Sequence, residues 1–265
     1  MITKIAIHGA AGRMGRRLVA LATENEQLEV ASAVEDAGSP LLGQDAGELA
    51  GVGTIGVPLT SELAGEPAVV IDFSVPAAAV KIAQACAQQR VALVSATTGL
   101  EAAQQEVILA AAQQVPLLQA PNTSLAVNLV MNLSRTTAAA LAEHPSGADV
   151  EIIERHHRFK EDAPSGTALK FGEIIAGEMK QAVQRHGREG RPGARPHDEI
   201  GYHAVRTGDN PGEHTIIFGL LGETIELRVA ATSRDAYAHG ALAAAEFLVG
   251  KPAGLYHMND LLGLS

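Results

Sequence analysis

From Glu151 to Ala168 the chain reads EIIERHHRFKEDAPSGTA. Arg155, His156, His157, Arg158 and Lys160 bring five basic side chains within six positions, and the segment ends in Pro-Ser-Gly-Thr, the way a helix opens. Ser165 is suited to cap that helix. The first N–H groups beyond it, at Gly166 and Thr167, have no intrahelical acceptor and sit at the positive end of the helix dipole, so a carboxylate is a natural occupant. Lys160 adds a point charge, and histidine transfers protons near neutral pH. The chemistry indicated is capture of an anionic substrate and delivery of a proton to it. Other readings compete: a solvated charged loop, a surface histidine pair without a role, and a Ser165 that caps its helix and nothing more. Glu154, His156 and His157 are metal-ligand types but lack a fixed ligand spacing, so no metal is assigned.

A second constellation lies near the start. Ile5-Ala-Ile-His8 leads into Gly9-Ala10-Ala11-Gly12-Arg13-Met14-Gly15 and then a helical pattern. A strand, a tight glycine turn and a helix N-terminus together place a pyrophosphate against backbone N–H groups. In the fingerprint G-x-G-x-x-G the three glycine positions are held by Ala10, Gly12 and Gly15, with Gly9 preceding them. A glycine turn used only for packing is the competing reading. The fingerprint also expects an acid about twenty residues further on, for the ribose hydroxyls. Glu35 stands there, directly after LEVASAV, and Asp36 follows it. A 2′-phosphate meets two carboxylates at that place unless Arg13, Arg16 or Arg17 reaches across, which predicts that NADH is used at least as well as NADPH. Two further strand ends, Ala96-Thr97-Thr98-Gly99 and Ala120-Pro121-Asn122-Thr123, offer hydroxyl and amide partners to a nicotinamide, or are ordinary loops.

The elements that must hold these residues follow from patterning. Strands are expected at Ile2–His8, Leu28–Val34, Val69–Phe73, Val91–Ser95 and Pro116–Ala120. Helices are expected at Arg13–Glu24, Pro76–Gln89 and Glu101–Gln114. Continuous apolar strands alternating with helices indicate a parallel sheet covered on both faces. After Asn122 a long helix to about His144 is followed by strand Asp149–Glu154, which puts Glu151 and Ile153 on one face, Ile152 and Glu154 on the other. His156, His157 and Lys160 then fall beyond the strand, in a turn. Next come a helix from near Ser165 and a mobile, solvated Gly/Pro/Arg loop from Arg185 to Pro196. Strands Glu199–Arg206, His214–Leu220 and Thr224–Ala231 follow without intervening helices, which points to a mixed or antiparallel sheet in a different domain. Asp235–Val249 returns to helix.

Composition narrows the function classes. The net charge of −10 argues against a sequence-independent nucleic-acid binder, and 3% aromatic residues leave no stacking platform for single strands. The one cysteine, Cys86, fits a buried inert thiol and supports no internal disulfide. No signal peptide or membrane-length apolar run is visible, so a cytoplasmic location is the expectation.

The pattern E-I-I-E-x-H-H-x-x-K-x-D-A-P-S-G-T-A resembles the signature of the bacterial 4-hydroxy-tetrahydrodipicolinate reductase (dihydrodipicolinate reductase) family. HGAAGRMG, LLGQDAGELAG, IDFS, ATTG and GEHTIIF extend that resemblance along nearly the whole chain. It implies NADH- or NADPH-dependent reduction of 4-hydroxy-tetrahydrodipicolinate in lysine/diaminopimelate biosynthesis. The fold implied is an α/β Rossmann-type doubly wound parallel sheet plus a second α+β domain with a mixed sheet. The dinucleotide-binding domain is expected at 1–127 and 234–265, with Arg234 near the hinge, and the substrate-binding and oligomerisation domain at 128–233. His156 would be the general acid and Lys160 a second proton donor. His157, Ser165, Gly166 and Thr167 would hold the substrate's carboxylates. Gly9, Ala10, Ala11, Gly12, Arg13, Met14, Glu35, Asp36, Ala96, Thr97, Thr98 and Ala120 to Thr123 would contact the dinucleotide. The family implies a homotetramer. The chain departs from the family pattern at Asp36, where some members carry Arg, at Ala96, commonly Gly, and at Thr123, aromatic in some members. Another imine-reducing dehydrogenase of similar architecture and a non-enzymatic dinucleotide sensor are the rival readings; the sensor needs neither His156 nor Lys160.

Overall fold

The computed structural model describes residues 2–144 and 147–264. The first stretch alternates strand and helix: β1 Thr3–His8, α1 Arg13–Glu24, β2 Leu28–Val34, α2 Ala46–Ala50, β3 Leu59–Thr60, β4 Val69–Asp72, α3 Pro76–Gln89, β5 Ala92–Ser95, α4 Ala102–Ala110 and β6 Pro116–Gln119. The middle comprises α5 Leu125–Leu141, β7 Asp149–His156, α6 Gly166–Met179, β8 Val183–His186, β9 Glu199–Arg206, β10 Glu213–Leu220 and β11 Glu223–Ala230. The chain closes with α7 Asp235–Leu248, β12 Gly254–Tyr256 and α8 Met258–Leu261. None of the described helices is long and apolar enough to cross a membrane.

Two compact units result. One comprises the chain up to Leu125 and again from Asp235 onward; the other is Ala126–Arg234. The first holds a seven-stranded sheet in the order β12-β6-β5-β4-β1-β2-β3, parallel throughout. Ile5, Ile7, Val69, Ile71, Val94, Leu117 and Leu118 are fully buried within it, as a sheet covered on both faces requires. Truncating one of these isoleucines or leucines to alanine costs roughly 2–5 kcal/mol. The helices on it are rich in small residues: α7 buries Ala238, Ala241, Ala244 and Ala245. Cys86 is one of the buried residues of α3, and burial pushes its thiol up to about 12.

The second unit is the mixed α+β arrangement: a five-stranded sheet in the order β11-β10-β7-β9-β8, antiparallel on the β10 side and parallel on the β9 side. Val150 and Ile152 of β7 point into a core with Phe218, Ile216, Ile200 and, from α6, Phe171 and Ile175. Strand alternation then carries Glu154 and His156 onto that same buried face.

Three local expectations need correction. β7 runs two residues past Glu154, so His156 is the last residue of a strand and buried, not part of the following turn. The hydrogen bond from Thr207 N–H to the His156 carbonyl continues the pairing with β9 and explains the extension. The predicted loop from Arg185 begins inside β8, and two of its four arginines are held rather than solvated: Arg188 meets Glu151 and Glu199, and Arg195 meets Asp149 and Glu151, while Arg185 and Arg191 are exposed. Burial opposes the charge on Glu151, but Arg188, His203 and Arg195 outweigh it and hold the carboxyl at about 2. The helix expected to reach Gln114 stops at Ala110 and tightens into a 3-10 turn over Ala111–Gln113.

One excursion was not foreseen. Between β2 and β3 the Asp45 carboxylate accepts the N–H groups of Gly47, Glu48, Ile55, Gly56 and Val57, capping α2 and closing the loop behind it.

Candidate active site

In the second unit the site is organised around Glu154. Its side chain is 1% exposed, and its Oε2 lies 2.6 Å from His156 Nδ1. Arg206, at the end of β9, donates to both oxygens, at 2.8 and 2.7 Å, a bidentate pair. The Ser165 N–H also donates to Glu154 Oε1, at 3.2 Å. Burial works against the charge on Glu154, but Arg206 and then His156 hold its carboxyl below the ordinary range. His156 is pushed down by burial, with Glu154 pulling the other way.

Ser165 caps α6, its Oγ accepting the Ala168 N–H at 3.2 Å. That hydroxyl also lies 3.0 Å from His214 Nε2 and is buried, so its bonds are spent inside the protein. His214 meets His156 edge-on, ring centroids 5.3 Å apart. Burial, and then the neighbouring His156, push His214 down to about 4, which makes it a neutral hydrogen-bonding ring at physiological pH. Lys160 lies in the turn after β7, its Nζ 2.8 Å from Asp162 Oδ1. The backbone of that turn is fixed by Arg206, which donates to the carbonyls of Lys160 and Asp162. His157 Nε2 is 3.4 Å from the Arg234 guanidinium, and its Nδ1 is buried without a partner. His156, Ser165 and the start of α6 are thus gathered on one carboxylate, with the Lys160 turn tied to the same arginine.

The first unit carries a cavity of about 600 Å³ at the carboxyl ends of its strands. Gly9, Gly12, Glu35 and Asp36 line it, together with His8, Ser61, Glu62, Ser74 and Lys81. The glycine loop is tight: a β-carbon on Gly15 would stand 2.1 Å from the Gly9 carbonyl oxygen, so α1 approaches the loop only because that position has no side chain. Glu35 accepts the Ala11 N–H at 2.8 Å and so braces the loop from the end of β2. A side-chain-free approach, a helix N-terminus and a carboxylate beyond β2 fit a dinucleotide, with the loop for its pyrophosphate and Glu35 for a ribose. Thr97 is beside this site but its hydroxyl is taken by Asp72, at 2.8 Å, and accepts the Ser74 N–H at 3.1 Å. Thr98 is exposed. Ala96 and the 120–123 segment are not among the cavity's lining residues, and the Thr123 hydroxyl donates to the Tyr237 carbonyl at 2.7 Å.

Two family models match consecutively. Residues 3–123 fit the N-terminal model of dihydrodipicolinate reductase and residues 126–262 the C-terminal model. The chain belongs to the dihydrodipicolinate reductase family. A 4-hydroxy-tetrahydrodipicolinate reductase of Rhodopirellula baltica is 52% identical, over 98% of this chain and 96% of that one. One of Alkalilimnicola ehrlichii is 44% identical over the full length of both. A dipicolinate-bound dihydrodipicolinate reductase from Paenisporosarcina sp. superposes with a TM-score of 0.78 at 26% identity, covering 97% of this chain and 98% of that chain. An amine dehydrogenase from Mycobacterium smegmatis, at 13% identity and a TM-score of 0.62 over 97% and 95%, shares the fold.

For this member of the reductase family, sequence reasoning missed Arg206, His214 and the pair of His8 and Asp72, whose Nδ1 and Oδ1 lie 2.7 Å apart. Each belongs to a strand read for its apolar pattern. The available signal was polarity at a position that alternation assigns inward, as at Glu154, His156 and His214.

Proposed function

We propose that the chain is an NAD(P)H-dependent oxidoreductase that reduces 4-hydroxy-tetrahydrodipicolinate to tetrahydrodipicolinate, the 4-hydroxyl leaving as water while hydride and proton are added, a step of lysine/diaminopimelate biosynthesis. The observation that carries this reading is His156, bound through Nδ1 to the buried Glu154 at the opening of α6, in a chain 52% identical to a reductase of that name. The bound nicotinamide supplies a hydride. The chain's own residues supply the rest. The N–H groups of Gly166 and Thr167 at the α6 N-terminus, with His157 and Lys160, are suited to hold the substrate's carboxylates. His156 donates a proton through Nε2, since Nδ1 is engaged by Glu154. In the free protein burial disfavours the imidazolium; a dianionic ligand beside the ring favours it, so substrate binding itself arms the acid. Lys160 is the second proton donor. Gly9 to Met14 and Glu35 hold the dinucleotide.

The oligomeric reading is a homotetramer joined through the second unit's sheet, whose outer face exposes Ile153 and Val205. A cytoplasmic location goes with this function, because reduced nicotinamide is an intracellular reagent. The test is turnover: consumption of NADH with freshly generated substrate. His156→Gln and Lys160→Ala each lower kcat by about two orders of magnitude, the typical worth of a positioned acid, with NADH affinity retained. A parent protein that binds NADH but turns over no substrate is a sensor, and ends the proposal.

A further inference from the structure

We infer that Glu154 and Arg206 are paired positioning residues for His156, fixing its ring in one orientation and setting an anion against a cation beside it. The inference rests on the reading of His156 as proton donor. One carboxylate holds the ring at Nδ1, the guanidinium at two nitrogens and the α6 cap at the Ser165 N–H. The ring therefore cannot turn without breaking a buried charge-assisted bond, and Nε2 is the nitrogen left for chemistry.

The charges matter as much as the geometry. Facing His156 are Glu154 from its own strand, Arg206 from β9, Lys160 from the following turn and His214 from β10. Asp162 is paired with Lys160, and α6 contributes the uncharged Ser165. Glu213 and Arg155 pair with each other beside these strands, Glu213 also meeting Arg228. Without Glu154 a buried imidazole stays neutral and has no proton to give. Beside an unneutralised Glu154 the imidazolium would be held too firmly to release it. Arg206 occupies the other side of the carboxylate and moderates that grip. The two residues therefore act on the acid with opposite signs, a relationship that simple structural support does not produce.

The experiment compares pH profiles of kcat, with NADH, for the parent, Glu154→Gln and Arg206→Gln. Because the acid must be protonated, the rate falls as pH rises through the pKa of His156. Glu154→Gln moves that alkaline limb to lower pH by about one unit or more, and Arg206→Gln moves it to higher pH. The KM for NADH is unchanged in both. Limbs that stay in place, or move in the same direction, overturn the inference. NMR titration of the His156 ring carbon protons, without cofactor or substrate, reads the same shifts independently of turnover. If the ring titrates as expected in all three proteins while His156→Gln has parental turnover, the function reading fails and the positioning role stands. Should a single variant not fold, the double variant Glu154→Gln, Arg206→Gln leaves no buried charge unpaired. Its His156 titrates below the parent's, and a value equal to the parent's overturns the inference.

Discussion

Gly212 faces His156 so closely that a β-carbon on it would stand 2.9 Å from Nε2. Its φ of 153°, in the range that side chains rarely adopt, suits glycine as well. The nitrogen left open by the Glu154 bond is thus kept open by the absence of a side chain immediately before β10. Gly212→Ala is expected to lower kcat at least tenfold while NADH binding is retained. Parental turnover in that variant would show that Nε2 is not the working nitrogen.

The cavity proposed for the dinucleotide gathers Glu35, Asp36 and Glu62 against one cation, Lys81, among its lining residues. A 2′-phosphate brings about two negative charges into that neighbourhood. NADH is therefore expected to be used at least as well as NADPH, measured as kcat/KM with each. Asp36→Arg shifts the ratio toward NADPH by tenfold or more, since it replaces repulsion with a phosphate partner. A hundredfold NADPH preference in the parent would refute this account.

His214 supplies an acid-stability prediction. Its folded pKa of about 4 lies below the 6.5 of an exposed imidazole, so the unfolded chain binds the proton more readily. Its contribution to stability is complete above pH 6.5 and is lost as pH falls toward 4, by roughly 3 kcal/mol in all. Urea midpoints measured across that window drop with acidification, and His214→Gln flattens the slope. An unchanged slope would assign the acid sensitivity to other groups.

The Arg195 side chain bridges Asp149 at 2.8 Å, Glu151 at 3.0 Å and the Val150 carbonyl at 3.0 Å. Its removal leaves carboxylates short of a partner and frees the segment around it. Arg195→Ala is expected to lower stability by about 1.5–3 kcal/mol and to speed tryptic cleavage within 187–196. Cleavage at the parental rate would mean that the segment is held by something else.

Substrate should raise the pKa of the acid. The alkaline limb of kcat is therefore expected at higher pH than that of kcat/KM, which reports the free enzyme. Coincident limbs would remove the carboxylates of the substrate from that role.

Most of the scaffold was legible because a sheet buried on both faces leaves an unmistakable trace. Leu28–Val34, Pro76–Gln89 and Glu199–Arg206 have the expected limits, and the glycine loop sits where a strand meets a helix. The errors occur where polar groups do structural work. β7 was cut short at Glu154 because charged residues there read as a turn, whereas each of them is paired. Arg188 and Arg195 read as solvated because their partners, Glu151 and Asp149, lie far earlier in the chain. Such long-range pairings leave no periodic mark in a single sequence.

Cys86 lies fully buried on the sheet side of α3, and the chain has no other thiol. The protein thus carries a built-in clock. A thiol reagent can reach that sulfur only when α3 lifts, so the labelling rate under native conditions counts how often the nucleotide-binding sheet breathes. Any ligand that quiets this motion will announce itself by slowing the reaction at one atom.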